Sequence, residues 1–206
     1  EMYQDKLQIK ITDIWMHQPT TEELTELLPS TRKNIDAMFA EVTTLIQSLE
    51  HPAAKALGGA YLNDADMMRD FKVAPAAMQI HHAWIGGLLE HSLQLMKLAD
   101  GMLPNYPRLN RDIILLSLFI HDMGKVEELR WDRGFEYTRE GNLIGHIARG
   151  AMWLEGKAKG AEKNLGEALP DGFLTVMQHI ILSHHGQLEH GAAKLPSTPE
   201  AIFVSQ

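Results

Sequence analysis

The pattern of apolar and polar residues changes its period once along the chain. Residues 6–14 alternate between the two classes, which is typical of a half-buried strand, with apolar positions at Leu7, Ile9 and Ile11. Residues 18–30 are polar and contain two prolines, as linkers do. From about residue 31 the apolar positions recur with the period of a helix. The pattern therefore predicts a short N-terminal strand or arm, a linker and a helical domain.

The helical part divides into segments separated by glycine and proline. The first segment carries an apolar stripe formed by Ile35, Met38, Phe39, Val42, Leu45, Ile46 and Leu49, with Ser30 or Thr31 as the expected N-cap. Further helices are predicted near 64–72, 81–100, 111–123, 143–158 and 171–185. Residues 130–139 are compatible with a small hairpin or an ordered loop. The expected fold is mostly α, with residues 1–30 as strand and linker and residues 31–206 as a helical bundle.

Composition limits the chemistry that such a bundle could carry. The 206 residues include no cysteine, so a metal site would have to use histidine and carboxylate ligands. The net charge is −8, which does not indicate the basic face of a general nucleic-acid binder, so a polyanion would have to be held locally, most simply by metal ions. We find no secretory signal and no apolar run of about 18 residues, and we expect a cytoplasmic protein without a membrane span.

Several histidines fall on the apolar faces of four predicted helices. They are His91, His121 with Asp122 beside it, His146, and the pair His184 and His185. A single histidine on such a face is usually a core residue with one hydrogen bond. Burying a whole set is costly unless each has a partner, and a shared divalent cation would serve all of them. Asp122 could bridge two ions with its two oxygens.

Two metal ions held in this way predict a phosphohydrolase. Ions roughly 3.5–4 Å apart lower the pKa of a shared water, and the resulting hydroxide attacks phosphorus. We find no serine-histidine-aspartate signature and no Walker-type loop. Lys125 is interpreted as a cation for the substrate phosphate, although it could be a solvated lysine at a helix end. His82 could contact substrate or cap a helix.

Two neighbouring pairs receive structural interpretations. Gly86 and Gly87 are expected to permit close helix–helix packing that lets His91 reach the metal. Glu127 and Glu128 are expected to form a solvated face near the site. His17, His51, His179 and His190 lack a comparable context and are interpreted as structural or surface residues.

Three segments resemble the HD superfamily of metal-dependent phosphohydrolases. They are Leu88-Leu89-Glu90-His91-Ser92, Ile120-His121-Asp122-Met123-Gly124-Lys125 and Ile181-Leu182-Ser183-His184-His185-Gly186. Within that superfamily the chain is most similar to YhaM-type 3′-to-5′ exoribonucleases. The stretches that carry this similarity include Ala74-Pro75-Ala76-Ala77, the run from His81 to His91, Lys125-Val126-Glu127-Glu128-Leu129 and Gly145-His146.

The resemblance implies specific metal ligands. One ion would be held by Asp122, His146, His184 and His185, and the other by His91, His121, Asp122 and an aspartate expected beyond Gln206, so that the helical domain is expected to be truncated at its C-terminus. Manganese is the expected metal, with iron, nickel, zinc or magnesium as alternatives. The resemblance also implies an OB-fold domain before the helical domain, and residues 1–30 are expected to include its end.

The predicted function is a metal-dependent phosphodiesterase acting from the 3′ end of RNA or single-stranded DNA. A first alternative keeps the same enzyme class but takes a small nucleotide or cyclic dinucleotide as substrate. The Gly-Tyr-Pro segment typical of cyclic-di-GMP phosphodiesterases is absent, which disfavours part of that alternative. A second alternative is a non-catalytic module that binds metal or nucleotide. Assembly into a homo-oligomer is left open.

Overall fold

The computed structural model describes residues 2–3, 6–7, 9–18, 20, 23, 26–79, 82–132 and 134–205. Its helices are α1 (Ile35–Gln47), α2 (Pro52–Leu62), α3 (Ala65–Val73), α4 (Gly87–Met102), α5 (Arg111–Ile120), α6 (Lys125–Glu128), α7 (Arg139–Leu143), α8 (Gly145–Leu165), α9 (Phe173–Ser183) and α10 (Pro199–Val204). The strands are β1 (Met2–Tyr3), β2 (Lys6–Leu7), β3 (Leu129–Arg130) and β4 (Glu136–Tyr137). The mostly α fold is therefore confirmed.

The N-terminal strand is much shorter than its sequence pattern predicts. β1 and β2 pair antiparallel, with Met2 opposite Leu7 and Tyr3 opposite Lys6. Residues 9–18 have no regular secondary structure and are exposed, so the prediction of a strand over 6–14 is wrong for residues 9–14. An alternating pattern forms a strand only where a partner supplies a hydrogen-bonding ladder, and residues 9–14 have none. The OB-fold interpretation of residues 1–30 stays a prediction.

Helix α2 is absent from the sequence prediction. It is rich in alanine and glycine, and its first five residues include no large apolar side chain, so its apolar stripe is hard to recognise in the sequence. His51 and Pro52 give it a regular start, because the His51 ring accepts the Ala53 amide and proline suits the first turn. A Cβ atom on Gly58 would lie 2.5 Å from Cγ2 of Ile46, so glycine permits the close packing of α2 on α1.

The start of α4 also differs from the prediction of a helix over 81–100. The helix begins at Gly87, after Gly86 has taken a left-handed φ of 79°. Residues 82–86 therefore form a loop, and Trp84 lies on this loop instead of on the helical stripe. Ile85 anchors the loop through a parallel bridge to Ser30.

Smaller predictions have mixed outcomes. The hairpin interpretation of 130–139 is confirmed, since β3 pairs antiparallel with β4. The expected cap of the first helix is wrong, because Asn34 accepts the Ala37 amide and occupies the N-cap position instead of Ser30 or Thr31. The remaining predicted helices agree with α1, α3, α5, α8 and α9 to within a few residues at most ends, although α8 continues to Leu165.

The core lies between α5 and the helices around it. Every residue from Ile114 to Ile120 on α5 is buried, and Phe119 contacts Tyr61 and Phe71 edge-on at ring distances of 6.2 and 5.7 Å. Edge-on aromatic contacts add to the free energy of burial. In the part of the chain that the structure describes, no helix has the length and apolar character needed to span a bilayer.

We predict that Phe119→Ala lowers the free energy of unfolding by about 3–5 kcal/mol, because it empties a fully buried aromatic site at the centre of the core. A urea titration would measure the change. Met152→Ala is the matched control, since Met152 is 57% exposed on α8 and its truncation should change stability by no more than about 0.5 kcal/mol. Equal effects of the two substitutions would contradict this description of the core.

Candidate metal centre

Asp122 is the buried acidic residue at the centre of the predicted ligands, and only 3% of it is exposed. It follows the last turn of α5, where the His121 amide still bonds the Ser117 carbonyl at 2.8 Å. The chain then turns into α6, with the Lys125 amide donating to the Asp122 carbonyl at 2.9 Å. This tight turn between α5 and α6 places His121 and Asp122 side by side at the end of a buried helix.

Four imidazoles direct Nε2 toward the Asp122 carboxylate. Oδ2 lies 3.3 Å from His121 and 3.6 Å from His91. Oδ1 lies 3.4 Å from both His146 and His184. His185 joins the second side, because its Nε2 lies 3.2 Å from that of His146. All six predicted ligands therefore come together around one carboxylate.

Among the described residues these atoms form two groups that share Asp122. One group contains Asp122, His146, His184 and His185, and the other contains His91, His121 and Asp122. Within each group the ligand atoms lie within 4.8 Å of one another. These groups contain the residues that the family resemblance implies for two ions, apart from the aspartate expected beyond Gln206.

In four imidazole rings the contact of Nδ1, the nitrogen that points away from the centre, fixes which nitrogen carries the proton. Each of these Nδ1 atoms faces an oxygen that can only accept: the Leu118 carbonyl for His121, the Glu128 carboxylate for His146, the Ile181 carbonyl for His184 and the His190 carbonyl for His185. The distances are between 2.7 and 2.9 Å. Nδ1 therefore donates, and in the neutral ring Nε2 keeps its lone pair, as in metal-binding histidines. In all but His185 that nitrogen faces Asp122.

Two buried atoms at the centre have no hydrogen-bond partner among the described residues. They are Oδ1 of Asp122 and Nε2 of His184, which face each other at 3.4 Å. Both are acceptors, and two lone pairs at this distance repel each other. Buried acceptors of this kind are rarely left without a partner. The set of imidazole nitrogens and carboxylate oxygens therefore fits divalent transition metal ions.

The electrostatics keep the ligands in their metal-binding forms. Burial alone would raise the pKa of Asp122, but the charge of the neighbouring Lys125 outweighs it and holds the pKa well below its usual range. Burial, followed by the nearby His121, lowers the pKa of His91 to about 4. Burial and the neighbouring His184 also lower the pKa of His185. At neutral pH Asp122 is therefore ionised, while His91 and His185 are neutral.

Glu128 has a role that the sequence analysis missed. Its carboxylate accepts both the backbone amide of His146, at 3.0 Å, and the ring Nδ1 of His146, at 2.9 Å. Its side chain is only 11% exposed, so the interpretation of Glu127 and Glu128 as a solvated face is wrong for Glu128. The sequence offered one signal that this segment packs inward, the apolar Leu129 directly after Glu128, which is buried in the structure.

Gly124 lets α8 come close enough for His146 to reach Asp122. A Cβ atom at this position would lie 2.2 Å from the His146 carbonyl oxygen, so any side chain would push the two segments apart. Gly87 has a similar function beside a loop, since its Cβ would lie 2.0 Å from the His82 carbonyl oxygen. The predicted close packing at Gly86 and Gly87 is therefore present, but the closest neighbours are the His82 loop and Thr31, and a helix contributes only Ile35 at the start of α1.

The two predicted substrate residues both lie beside the ligands. Nζ of Lys125 is 2.8 Å from Oδ2 of Asp122, and its side chain is 16% exposed. The ring of His82 packs 5.3 Å from the ring of His91. His81 lies outside the described residues.

The other histidines of the described chain take structural positions. His17 pairs with Glu23, and the His51 ring caps α2. His179 accepts the Ser197 amide, and the carbonyl of His190 holds the ring of His185. The expectation that these four are structural or surface residues agrees with their contacts.

Comparison with known proteins gives a family match and several relatives. The model for the HD domain matches residues 88–206. A protein named 3′-5′ exoribonuclease YhaM from Geobacillus sp. (strain WCH70) is 32% identical over 98% of this chain and 60% of its own length. Proteins of the same name from Listeria innocua and Bacillus subtilis are 34% and 30% identical over 99% and 98% of this chain, and over 63% and 62% of their own lengths.

The chain thus spans about three-fifths of the length of these curated relatives. No solved structure matches it significantly.

We predict that Glu128→Gln weakens Mn²⁺ binding about 10-fold or more, because the ring of His146 loses a charged acceptor that orients it and makes Nε2 a better ligand. Calorimetric titration of chelator-treated protein with Mn²⁺ would measure the affinity. Glu136→Gln is the control, since Glu136 is an exposed carboxylate paired with Arg130 on the hairpin. An unchanged affinity in Glu128→Gln would contradict the role assigned to this contact.

We also predict that Mn²⁺ stabilises the folded chain, because it relieves the repulsion between the acceptors around Asp122. Free Mn²⁺ at about 1,000 times its dissociation constant should add about 4 kcal/mol to the free energy of unfolding. Thermal unfolding with Mn²⁺ and with EDTA would show the shift. Asp122→Ala should lose most of it, and a full shift in that variant would show that the ion binds elsewhere.

Proposed function

This chain belongs to the HD-domain family, and we propose on that premise that it is a metal-dependent phosphodiesterase that removes nucleotides from the 3′ end of single-stranded RNA. The observation that carries the proposal is the Asp122 carboxylate, which faces imidazole nitrogens on both of its oxygens. Such an arrangement suits two divalent ions that share one bridging ligand.

The proposed ligands of the two ions are the two groups around Asp122. One ion would be held by Asp122, His146, His184 and His185, and the other by His91, His121, Asp122 and a further ligand. We propose manganese, with iron, nickel, zinc or magnesium as alternatives. When bound, such ions polarise a phosphoryl oxygen and lower the pKa of a coordinated water.

The residues of the chain supply orientation and charge. Asp122 is ionised at neutral pH and contributes negative charge, while the neutral imidazoles of His91 and His185 contribute lone pairs without adding charge. The ammonium group of Lys125 lies beside Oδ2 of Asp122, from where we propose that it also stabilises the negative charge of a substrate phosphate. We propose that His82, next to His91, contacts the substrate.

RNA is proposed as substrate because the relatives carry the name 3′-5′ exoribonuclease. Metal ions also provide the positive charge that a chain of net charge −8 needs in order to hold a polyanion. Single-stranded DNA is an alternative substrate. A cytoplasmic location, where RNA is found, belongs to the same proposal, and assembly into a homo-oligomer stays a prediction.

We predict that the chain with Mn²⁺ shortens a single-stranded RNA oligonucleotide that carries a label at its 5′ end. His121→Ala combined with Asp122→Ala should reduce the rate by at least about 1,000-fold, because both ligand groups lose members. Gel analysis of time points would show the products. His51→Asn is the control, since asparagine keeps a side chain that can cap α2 while one imidazole outside the ligand groups is removed.

The substrate is tested in the same assay. Trimming from the 3′ end leaves the 5′ label on products that shorten step by step. Release of the label as a short fragment from the first time points, without such intermediates, would contradict the proposed polarity. Turnover of mononucleotides or cyclic dinucleotides without turnover of RNA would favour a small-molecule phosphohydrolase. Undiminished cleavage by the double variant would overturn the assignment of the site, and tight Mn²⁺ binding without hydrolysis of any of these substrates would favour a binding module.

A further inference from the structure

Glu90 is a buried carboxylate one residue before the predicted ligand His91. Only 7% of it is exposed, although glutamate is rarely buried without partners. It does not belong to either ligand group around Asp122. Its position in the first turn of α4 places it between the ligand helix and the loop that precedes this helix.

Both oxygens of Glu90 are occupied by groups from three parts of the chain. Oε2 accepts the Thr31 hydroxyl at 2.7 Å and the indole N–H of Trp84 at 3.1 Å. Oε1 accepts the amide of Gln94 at 3.2 Å and lies 2.9 Å from Nζ of Lys33. Burial would raise the pKa of Glu90, but the contacts with Thr31, Lys33 and Trp84 outweigh it and lower the pKa. Glu90 is therefore ionised and its charge is balanced locally.

These contacts fix the orientation of Trp84. The backbone around it is held on both sides, because the Gly87 amide bonds the Trp84 carbonyl at 2.9 Å and the Thr31 amide bonds the Ile85 carbonyl at 2.9 Å. The indole N–H is fixed by Glu90. Trp84 as a whole is half-buried, so it is not enclosed in the core although its polar edge is held.

His82 links Trp84 to the metal ligands. Its ring lies 5.1 Å from that of Trp84 and 5.3 Å from that of His91. Its φ is 55°, a left-handed conformation that residues other than glycine rarely adopt. The Ala76 amide bonds its carbonyl at 3.0 Å, and Gly87 gives that carbonyl room. The loop is thus held in an uncommon conformation that places the ring of His82 beside His91 and the ring of Trp84 on the other side of His82.

We propose that Trp84 and His82 form a stacking surface for a nucleobase beside the ligand group of His91, and that Glu90 is the positioning residue that holds this surface. Aromatic rings bind the faces of all bases, so the surface would accept the terminal base of an RNA strand or of a free nucleotide without sequence preference. The proposal rests on the proposed function, because it assumes that the phosphate of the same nucleotide binds near Asp122.

Binding of nucleotides with and without a base tests the stacking surface directly. Calorimetry on the Mn²⁺-loaded chain would compare adenosine 5′-monophosphate with ribose 5-phosphate, which has the same phosphate and sugar but no base. The base should tighten binding about 5- to 150-fold, the effect of stacking one base on an aromatic side chain. Trp84→Leu should remove most of this preference. Trp84→Phe keeps a ring but loses the bond to Glu90, and should keep part of it.

The role of Glu90 is tested by Glu90→Gln, which preserves size but removes the charge that holds Lys33 and Trp84. This variant should lower the preference for the base, and in RNA hydrolysis it should raise KM with little change in kcat. Its effect should be less than additive with that of Trp84→Phe, because both changes weaken the same hydrogen bond. Tyr106→Leu is the control, since Tyr106 is an exposed aromatic outside the ligand groups.

Each outcome decides a separate point. An undiminished preference for the base in Trp84→Leu would overturn the stacking surface. A lower melting temperature in Glu90→Gln with an unchanged preference would show that Glu90 is only structural. Absence of RNA hydrolysis by the unaltered chain would overturn the proposed function, while the two nucleotide affinities would still report on the stacking surface.

Discussion

The structure around the candidate metal centre depends on one unfavourable interaction, the convergence of lone pairs on Asp122. Four imidazole nitrogens lie within 3.6 Å of its carboxylate oxygens, and the far side of three of those rings donates a hydrogen bond elsewhere. A buried carboxylate would ordinarily be stabilised by donors. Here Lys125 is the cation in contact with it among the described residues, so the charge that would balance the centre has to come mainly from bound ions.

The surrounding fold maintains this convergence against its own repulsion. α5 ends in the core and delivers His121 and Asp122 from a helix whose residues are almost all buried. Gly124 allows α8 to approach, and Glu128 holds the ring of His146 from behind. A well-packed core of this kind contributes the free energy that opposes the repulsion, which agrees with the general observation that functional sites break local rules that the rest of a sequence obeys.

The sequence predicted which residues would meet at the candidate metal centre, because their spacing on the helices is strongly periodic. His91, His121 and His184 all continue apolar stripes, and helices that share a core must bring such stripes together. Features that depend on contacts distant in sequence were not predictable in this way. Helix α2 was missed because the reason for its small residues, close packing against Ile46, is visible only in the folded chain. Glu128 was misjudged because its partner, His146, lies 18 residues further along the sequence. The break before Gly87 was missed because the left-handed turn at Gly86 interrupts no apolar period.

The hydrogen bonds donated by Nδ1 of the ligand rings orient those rings without the help of a metal ion. His121 and His184 each donate to a carbonyl three residues earlier, in the last turn of their own helices. Those carbonyls lie where a helix normally leaves acceptors unsatisfied, so the helix ends and the ligands complete each other. The backbone at the end of each helix therefore fixes the orientation of both rings. An ion held by Nε2 of these two histidines would therefore meet rings that the helix ends have already oriented.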